Sequence, residues 1–407
     1  MIGIAVLVGC GHESASDDAP ADAAAVPTTS YHRDVAPILA RNCTTCHRDG
    51  GLGPVPLTAF GDAREAAGAI ADATGRHRMP PWPADGSGAC NTFVGRRSLD
   101  ARDITTLATW AAEGAPEGDP RDAVFVAPPP ELPFTSSLEL EAPAPYTVAV
   151  GPDEYRCFVI DPGLTSDRYI TAVAALLDKE EVVHHIQLFS ADTDQARTSI
   201  AARDAQDPAP GYSCDDEGVG TNLRYIGVWA AGDRVRRWPD TTGIRVPAGS
   251  HLVFQVHYHN HGTLPVSDRS RLALELAQTV DWPATIWSGS APVSLPPGQA
   301  EVVTTASTTL PVTAVSWARA LRIHMHTLGA HARMELVRGG QTQCLLDIPR
   351  WDFGWQLFYT LEQPIGLEVG DKLRLTCAYD TTSRATTTLW GASTEDEMCL
   401  GYVYFTD

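Results

Sequence analysis

Two groups of histidines in the sequence have a spacing that suits metal binding. The stretch EVVHHIQLF contains His184 and His185, and the stretch FQVHYHNHG contains His257. Further along, RIHMH contains His324 and His326, and the alternation of apolar residues around them predicts a β-strand. Side chains two residues apart point to the same face of a strand, so His324 and His326 should face one ion together.

The types of ligand indicate which metal these groups would bind. Imidazole suits copper or zinc, whereas the thioether of a late methionine, Met398 in STEDEMCLGYVYF, favours Cu(I) over zinc. No carboxylate accompanies either histidine group in the manner of a zinc hydrolase. One such histidine would be an ordinary core residue, but together they predict one copper centre of histidines only and another of two histidines and a methionine. The other histidines of this part are expected at the surface or behind the ligands: His251, His259, His261 and His331.

A second chemistry is carried by RNCTTCHRDG near the start of the chain. Cys43, Cys46 and His47 form the C-x-x-C-H pattern of covalent haem c attachment, in which the cysteines form thioethers and the histidine binds iron. A redox disulfide is expected in a βαβ setting, and a zinc site needs a second Cys/His pair nearby. Neither is evident, so the motif predicts one covalently bound haem c.

The sixth ligand of the haem iron should come from TGRHRMPPWP. Met79 in this proline-rich loop is the predicted ligand, because a thioether opposite histidine raises the reduction potential and suits electron transfer. His77 and His32 are the alternatives. The stretch SLDARDITTLATWAAEG then predicts a closing helix that Ser98 or Asp100 caps, which resembles small class I cytochromes c.

The elements that position these residues follow from composition and pattern. Residues 29–120 form the predicted all-α cytochrome c domain, and the proline-rich residues 121–134 are a predicted linker. From there on, short apolar stretches alternate with turn residues. The prediction is a mostly β body of two antiparallel, jelly-roll-like β-sandwiches, an N-terminal copper domain over residues 135–285 and a C-terminal one over 286–407.

The first 28 residues predict the location of the protein. A short apolar run ends at Cys10 and resembles a bacterial lipoprotein signal, in which that cysteine is lipidated, and an Ala/Asp/Pro-rich tether follows. The alternative is an apolar tail with an unmodified cysteine. We therefore expect export to the bacterial periplasm or cell envelope, a lipid anchor in a membrane, and conditions that permit disulfides. With 30 basic and 50 acidic residues the net charge is −20, which argues against nucleic acid as a partner.

In their order along residues 135–407, the metal-binding groups resemble the copper type II ascorbate-dependent monooxygenases. This family includes peptidylglycine α-hydroxylating monooxygenase and dopamine β-monooxygenase. The resemblance implies two copper ions: an electron-storing copper on His184, His185 and His257, and an oxygen-activating copper on His324, His326 and Met398.

The cysteines bear on the same resemblance. Three of the nine are assigned above to lipid and haem, and the six that remain allow fifteen pairings. The resemblance implies two disulfides that brace the copper domains, Cys157–Cys214 and Cys377–Cys399. Cys90 and Cys344 would either pair, which would hold the cytochrome domain against the second copper domain, or stay free.

Two further residues bear on the substrate. In the peptide-hydroxylating branch of the family, an arginine and a tyrosine at the positions of Arg322 and Tyr402 bind a carboxylate. The asparagine that this branch has two residues after the methionine is Leu400 here. The alternative is that Arg322 is an ordinary solvent-facing charge on a strand edge.

These features predict a copper-dependent monooxygenase that hydroxylates a C–H bond of a small organic substrate with O2. Each turnover needs two electrons, and we expect haem c and the three-histidine copper to relay them to the second copper. The electron donor would be an ascorbate-like small reductant or a periplasmic redox protein. The alternatives are a non-enzymatic electron-transfer or copper-binding lipoprotein and, less in keeping with the ligands, a zinc hydrolase.

Overall fold

The structure is a computed structural model, and it describes residues 28–49, 53, 55–126, 133–214, 218–230 and 235–407. The predicted lipoprotein signal with Cys10, nearly all of the tether and part of the predicted linker lie outside these residues. Among the described helices, none has both the length and the hydrophobicity that crossing a membrane requires.

Residues 28–122 contribute most of the helices in the described part of the chain. They comprise a π-helical turn Tyr31–Val35, α1 Ala36–Asn42, α2 Phe60–Glu65, α3 Ala67–Gly75, α4 Ala101–Ala112 and a 3-10 turn Pro120–Asp122, and α5 Asp194–Gln206 follows in the β body. Helix α4 is the predicted closing helix, and its cap is Asp100, whose side chain accepts a hydrogen bond from the Asp103 N–H at 2.7 Å. Leu107 and Trp110 of α4 are fully buried in a small core that the other helices of this segment share.

The remainder is built from short strands, as the sequence predicts. These are β1 Leu138–Glu141, β2 Tyr146–Val148, β3 Gly151–Ile160, β4 Arg168–Leu176, β5 Val183–Ala191, β6 Tyr212–Ser213, β7 Arg224–Ala230, β8 Val235–Arg237, β9 Thr242–Val246, β10 His251–Asn260, β11 Val266–Asp268, β12 Arg271–Ala277, β13 Trp282–Ser290, β14 Ser294–Leu295, β15 Val302–Thr309, β16 Ser316–His324, β17 Gly329–Arg338, β18 Gln341–Ile348, β19 Tyr359–Leu367, β20 Lys372–Tyr379, β21 Thr388–Leu389 and β22 Leu400–Thr406.

One nine-stranded sheet runs through both predicted copper domains. Its order is β1-β12-β4-β9-β13-β22-β16-β19, with β8 paired to β4. A five-stranded sheet, β6-β3-β10-β5-β7, packs on the first half of it, and a four-stranded sheet, β15-β20-β17-β18, packs on the second half. The body thus has two sandwich cores, but the two sandwiches share a sheet.

The predicted boundary between residues 285 and 286 falls inside β13. That strand pairs in parallel with β9 of the first half, through residues 282–284, and antiparallel with β22 of the second half. The first core also takes in Tyr402 and Tyr404 from the second half. The hydroxyl groups of Tyr404 and Thr242 lie 2.6 Å apart across the junction.

Part of the predicted cytochrome domain packs with the second sandwich instead. Cys90 forms a disulfide with Cys344, and Phe93 is buried in the core of the second sandwich. The Val94 N–H donates to the Thr360 carbonyl oxygen of β19 at 2.8 Å. The helical domain is therefore fixed to the second sandwich by covalent and hydrogen bonds. The other two disulfides are Cys157–Cys214 and Cys377–Cys399.

Candidate metal centres

The adjacent strands β5 and β10 bring three imidazoles together. His257 of β10 lies opposite His185 of β5, and the Nδ1 atoms of His184, His185 and His257 form a triangle with sides of 3.1, 3.2 and 3.3 Å. An imidazole nitrogen either carries a proton or accepts one, so hydrogen bonds cannot satisfy all three contacts. A point at the centre of the triangle is about 1.9 Å from each nitrogen, close to the roughly 2 Å bond between imidazole and an ion such as zinc. The residues therefore fit one metal ion.

The ring of His257 is oriented by two residues of β3. Its Nε2 lies 2.9 Å from Asp153 Oδ1, and the Tyr155 ring stacks on it with centroids 4.3 Å apart. With its proton on Nε2 and directed at the carboxylate, His257 presents the Nδ1 lone pair to the ion. Asp153 thus lies behind a ligand and not in a ligand position. Its Oδ1 also contacts Nδ1 of His259, so His259 lies behind the ligands, as the sequence predicts.

The second histidine group lies at the end of β16, the central strand of the second half. The rings of His324 and His326 are 5.1 Å apart, at an angle of 77°. His324 contacts the Gln356 side chain through Nδ1, and Nδ1 of His326 lies 3.1 Å from the Asp396 carbonyl oxygen. Both rings use Nδ1 for protein contacts, which leaves both Nε2 atoms for an ion. Met325 between them is fully buried in the core of the second sandwich.

Met398 lies in the segment that leads into β22, next to the strand β16 that ends at His324. His324 is opposite Leu400 in the ladder of these two strands, so the segments that carry His326 and Met398 leave the ladder side by side. The buried carboxylate of Glu397 accepts hydrogen bonds from the N–H groups of His326 at 2.9 Å and Leu328 at 2.6 Å. Burial raises the pKa of Glu397 to about 7, against the lowering effect of these bonds. Glu397 thus ties the segment after β16 to the segment that carries Met398.

An aromatic ring lies between the two histidine groups. Phe353, in the connection between β18 and β19, stacks on His184 with centroids 5.0 Å apart. The same ring meets His326 nearly edge-on at 6.1 Å. The two candidate centres are therefore separated by one packed side chain.

Comparison with known proteins agrees with this arrangement. Residues 144–264 match the N-terminal domain of copper type II ascorbate-dependent monooxygenases, and residues 289–407 match the C-terminal domain. The chain belongs to this family. The matched ranges include all six predicted copper ligands. Copper is therefore the metal that both the family and the three-histidine group support.

The sequence identity to individual members of the copper monooxygenase family is low. DBH-like monooxygenase protein 1 of Gallus gallus is 28% identical over 262 residues, which are 58% of this chain and 41% of that protein. Dopamine beta-hydroxylase of Homo sapiens is 25% identical over 306 residues, 68% of this chain and 47% of that protein. Peptidyl-glycine alpha-amidating monooxygenase of Mus musculus is 25% identical over 236 residues, 55% of this chain and 22% of that protein. The chain thus matches less than half the length of these relatives.

The C-x-x-C-H motif lies in the helical segment that precedes the family domains. Cys43 and Cys46 are both unpaired and half-buried, and burial raises the pKa of the Cys43 thiol to about 12. The Nδ1 atom of His47 lies 2.9 Å from the Val55 carbonyl oxygen, which leaves Nε2 for an iron ion. A Cβ atom on Gly53 would come within 2.5 Å of the same Nδ1, so the His47 ring is closely enclosed. Two free thiols and one oriented imidazole fit covalent haem.

The candidates for the sixth iron ligand differ in their surroundings. Met79 is half-buried in a crevice between the helical domain and the second sandwich, which Arg96 and Arg350 also line. His77 is exposed and its carbonyl oxygen accepts a hydrogen bond from Arg350 at 2.9 Å. Nε2 of His32 lies 3.3 Å from the carboxylate of Glu117. Of the three, only Met79 is neither exposed nor paired through its side chain with an acid, and it stays the predicted ligand.

Arg322 is buried, so the alternative of a solvent-facing charge on a strand edge is wrong. The residue is 4% exposed on β16, which has a neighbouring strand on each side. Its guanidinium lies 5.2 Å from the centre of the Tyr402 ring and donates to the Gln356 carbonyl oxygen and the Tyr225 hydroxyl group. Within the described part of the chain, no carboxylate forms an ion pair with Arg322.

Several residues that orient the predicted ligands are absent from the sequence-based prediction. They are Asp153, Tyr155, Phe353, Gln356 and Glu397. Asp153 is 104 residues from His257, and Gln356 is 32 residues from His324. Glu397, adjacent to Met398 in the sequence, is the one that proximity to a predicted ligand could have indicated.

The ligand histidines also predict how the stability of the metal-free protein depends on pH. Burial lowers the pKa of His184 to about 4 and places the pKa values of His185 and His324 well below their ordinary range. These groups stay neutral in the folded state, whereas in the unfolded chain they bind protons below about pH 6.5. Their contribution to the free energy of unfolding is therefore complete above pH 6.5 and is lost as the pH falls. We expect the free energy of unfolding to fall by about 1.4 kcal/mol per pH unit for each of His185 and His324.

Denaturant unfolding of the metal-free protein between pH 7 and pH 5 measures this slope. A double variant, His185→Gln/His324→Gln, should show a shallower dependence on pH. An equal slope in the variant and the wild type would show that the pH dependence does not come from His185 and His324.

Proposed function

We propose that the protein is a copper-dependent monooxygenase that hydroxylates a C–H bond of a small organic substrate. The observation that carries this proposal is the triangle of three Nδ1 atoms, together with the second histidine pair beyond the Phe353 ring. The reaction inserts one oxygen atom of O2 into the C–H bond and reduces the other to water, and it consumes two electrons and two protons. Copper supplies one-electron redox chemistry and oxygen activation when bound.

The residues of the chain prepare both centres for this role. Neutral imidazoles are the form that binds a metal, and burial keeps the ligand histidines neutral at pH 7. In the second centre, Gln356 and the Asp396 carbonyl oxygen hold the two rings at a fixed angle. The thioether of Met398 would add a soft ligand that stabilises Cu(I). We assign electron storage to the three-histidine centre and oxygen activation to the second centre.

We further propose that covalent haem c delivers the electrons. The free thiols, the orientation of His47 and the methionine in the crevice support this. The arginines that line the crevice would face the acidic propionates of a haem. The connection between β18 and β19 links the crevice to both centres: Arg350 bonds to His77, Nε1 of Trp351 donates to the His326 carbonyl oxygen at 3.0 Å, and Phe353 follows. The electron donor to the haem would be an ascorbate-like reductant or a periplasmic redox protein.

Export and a lipid anchor at Cys10 remain part of the proposal. The three disulfides support export, because such bonds persist in oxidising compartments. The anchor rests on the sequence of the first 28 residues alone.

Elemental mass spectrometry and oxygen uptake test the proposal. The protein would be matured in a host that attaches haem c, and iron and copper would be counted per chain. We expect one iron and two coppers, with oxygen uptake that depends on added substrate and matches the product formed. Copper without substrate-dependent uptake would favour a non-enzymatic electron carrier or copper-binding lipoprotein. Zinc at the histidines would overturn the monooxygenase.

We propose a carboxylate-bearing substrate, because the buried Arg322 has no acidic partner among the described residues. A buried guanidinium without a counter-charge is costly, and a substrate carboxylate would supply one. Tyr402 and Tyr225 beside it would orient the substrate through ring contact and hydrogen bonding.

Arg322→Gln should raise KM by about 10- to 100-fold for a carboxylate-bearing probe, because a charge-assisted hydrogen bond contributes roughly 1.5–3 kcal/mol. Benzoylglycine, its amide and tyramine would be compared as probes, with product formation measured. The KM of the amide and of tyramine should change little. Arg319→Gln on the same strand, whose Nε donates to the Thr406 hydroxyl group, is the matched control. If Arg322→Gln affects all three probes equally, the carboxylate assignment is wrong.

A further inference from the structure

One buried carboxylate contacts both halves of the β body. Asp153 lies on β3 with 8% of its side chain exposed. Its Oδ1 atom contacts Nε2 of His257 at 2.9 Å and Nδ1 of His259 at 2.7 Å. Its Oδ2 atom accepts hydrogen bonds from the backbone N–H of Thr394 at 3.2 Å and from the Thr394 hydroxyl group. One oxygen of this side chain therefore contacts a predicted ligand of the first centre, and the other contacts the segment that precedes Met398.

Thr394 belongs to the segment that leads into the second centre. It precedes Met398 by four residues, and its carbonyl oxygen accepts a hydrogen bond from the Thr327 hydroxyl group at 3.2 Å. Thr327 directly follows His326, and the Asp396 carbonyl oxygen of the same segment contacts the His326 ring. The position of Thr394 thus affects two predicted ligands of the second centre.

Tyr155, two residues after Asp153, also contacts both His257 and the segment before Met398. Its ring stacks on His257 at an angle of 10°, and its hydroxyl group donates to the Ala392 carbonyl oxygen at 3.1 Å. Two side chains of one strand therefore hold a ligand of the first centre and the segment before Met398.

We propose that Asp153 is a positioning residue shared by the two copper centres, and that through it a change at one centre alters the geometry of the other. This inference rests on the proposed function only in that both centres bind copper. Four groups contact the Asp153 carboxylate. The rings of His257 and His259 contact Oδ1, and the N–H and hydroxyl groups of Thr394 donate to Oδ2. When His257 shifts, Asp153 must follow or lose its bond, and a shift of Asp153 moves its hydrogen bonds to Thr394. By thermodynamic linkage, if copper at one centre changes the copper affinity of the other, the effect in the opposite direction has the same size.

The first test uses Asp153→Asn in the full-length, copper-loaded protein. An amide has one acceptor oxygen and one NH2 donor group, so if its oxygen accepts from His257, its NH2 group faces the backbone N–H of Thr394, which cannot accept a hydrogen bond. We expect copper affinity at the three-histidine centre to fall by about 10- to 100-fold. We also expect the sulfur contribution to the Cu(I) X-ray absorption spectrum, which reports Met398, to weaken. Glu154→Gln, the adjacent isosteric change on β3, should alter neither signal.

The second test changes a residue in the second half and measures the effect at the three-histidine centre. Thr394→Val replaces a hydroxyl group of the second half by a methyl group and leaves every predicted ligand histidine in place. It would be combined with His326→Ala, so that copper occupies only the three-histidine centre, and the Cu(II) electron paramagnetic resonance spectrum would be recorded. We expect the hyperfine splitting of that centre to shift relative to His326→Ala alone.

Two outcomes would overturn the inference. One is an unchanged spectrum in the Thr394→Val background. The other is an Asp153→Asn protein in which only the three-histidine centre is perturbed and the sulfur signal is intact. Failure of the proposed function would be distinct from both, since it would appear in the wild-type protein as missing copper or as missing substrate-dependent oxygen uptake. If Asp153→Asn does not fold, the Thr394→Val comparison alone decides.

Discussion

Replacing His326 by alanine should leave one copper per chain and abolish turnover. The imidazole of His326 is 3% exposed, and its Nδ1 atom is engaged by the Asp396 carbonyl oxygen, so Nε2 is the atom available to the metal. Alanine offers no ligand, and the other half of the pair, His324, would be left with the thioether of Met398 alone. Loss of a metal whose contribution to catalysis is several kcal/mol lowers the rate by roughly 10³-fold or more.

Copper per chain and product formation would be measured on the same preparation. The three-histidine centre does not use His326 and should keep its copper. His331→Ala is the matched control, because His331 lies in the same half, is more exposed and pairs with Asp347 at 3.0 Å. It should retain two coppers and full turnover. Two bound coppers in His326→Ala would show that the second ion lies elsewhere.

Replacing both Cys43 and Cys46 by alanine should remove covalent haem and, with it, turnover driven by a redox-protein donor. The two thiols are unpaired and lie beside His47, so without them no thioether can form. The copper ligands belong to the β body and should still bind two ions. With a reduced small cytochrome as donor we expect turnover to fall at least about 100-fold, since the proposed haem route has no substitute in the chain.

The control is a change in the same domain that spares the motif. His32→Ala removes an imidazole that is paired with Glu117 and should retain haem and turnover. The absorbance of the reduced haem would also be followed after mixing with O2 and substrate. It should be lost quickly in copper-loaded protein and slowly in copper-free protein. Unchanged turnover in Cys43→Ala/Cys46→Ala would refute haem as the route of the electrons.

The candidate centres were predictable where the ligands lie close together in the sequence. An H-H pair and an H-x-H pair are local patterns, and the alternation of a strand places His324 and His326 on one side with Met325 on the other. The start of helix α4 was predictable for the same reason, because Asp100 caps a neighbouring turn.

What could not be predicted depends on contacts between distant parts of the chain. Phe353 and Asp153 are ordinary residues until the tertiary fold places them beside histidines from other strands. The sharing of one sheet depends on three residues of β13 paired with β9, which leave no periodic signal. Residues 84–94 lie within the predicted cytochrome domain, yet the Cys90–Cys344 bond spans 254 residues and holds this segment against the second sandwich.

The shared sheet has a consequence for how substrate gains access. A hinge between the two halves would have to separate β9 from β13, the stacked rings of Trp238 and Tyr404, and the hydroxyl contact of Tyr404 with Thr242. These contacts oppose a hinge motion that would change the spacing of the two centres. The connection that carries Phe353 has no helix or strand, and loops move in nanoseconds to microseconds, faster than the collective closure of whole domains.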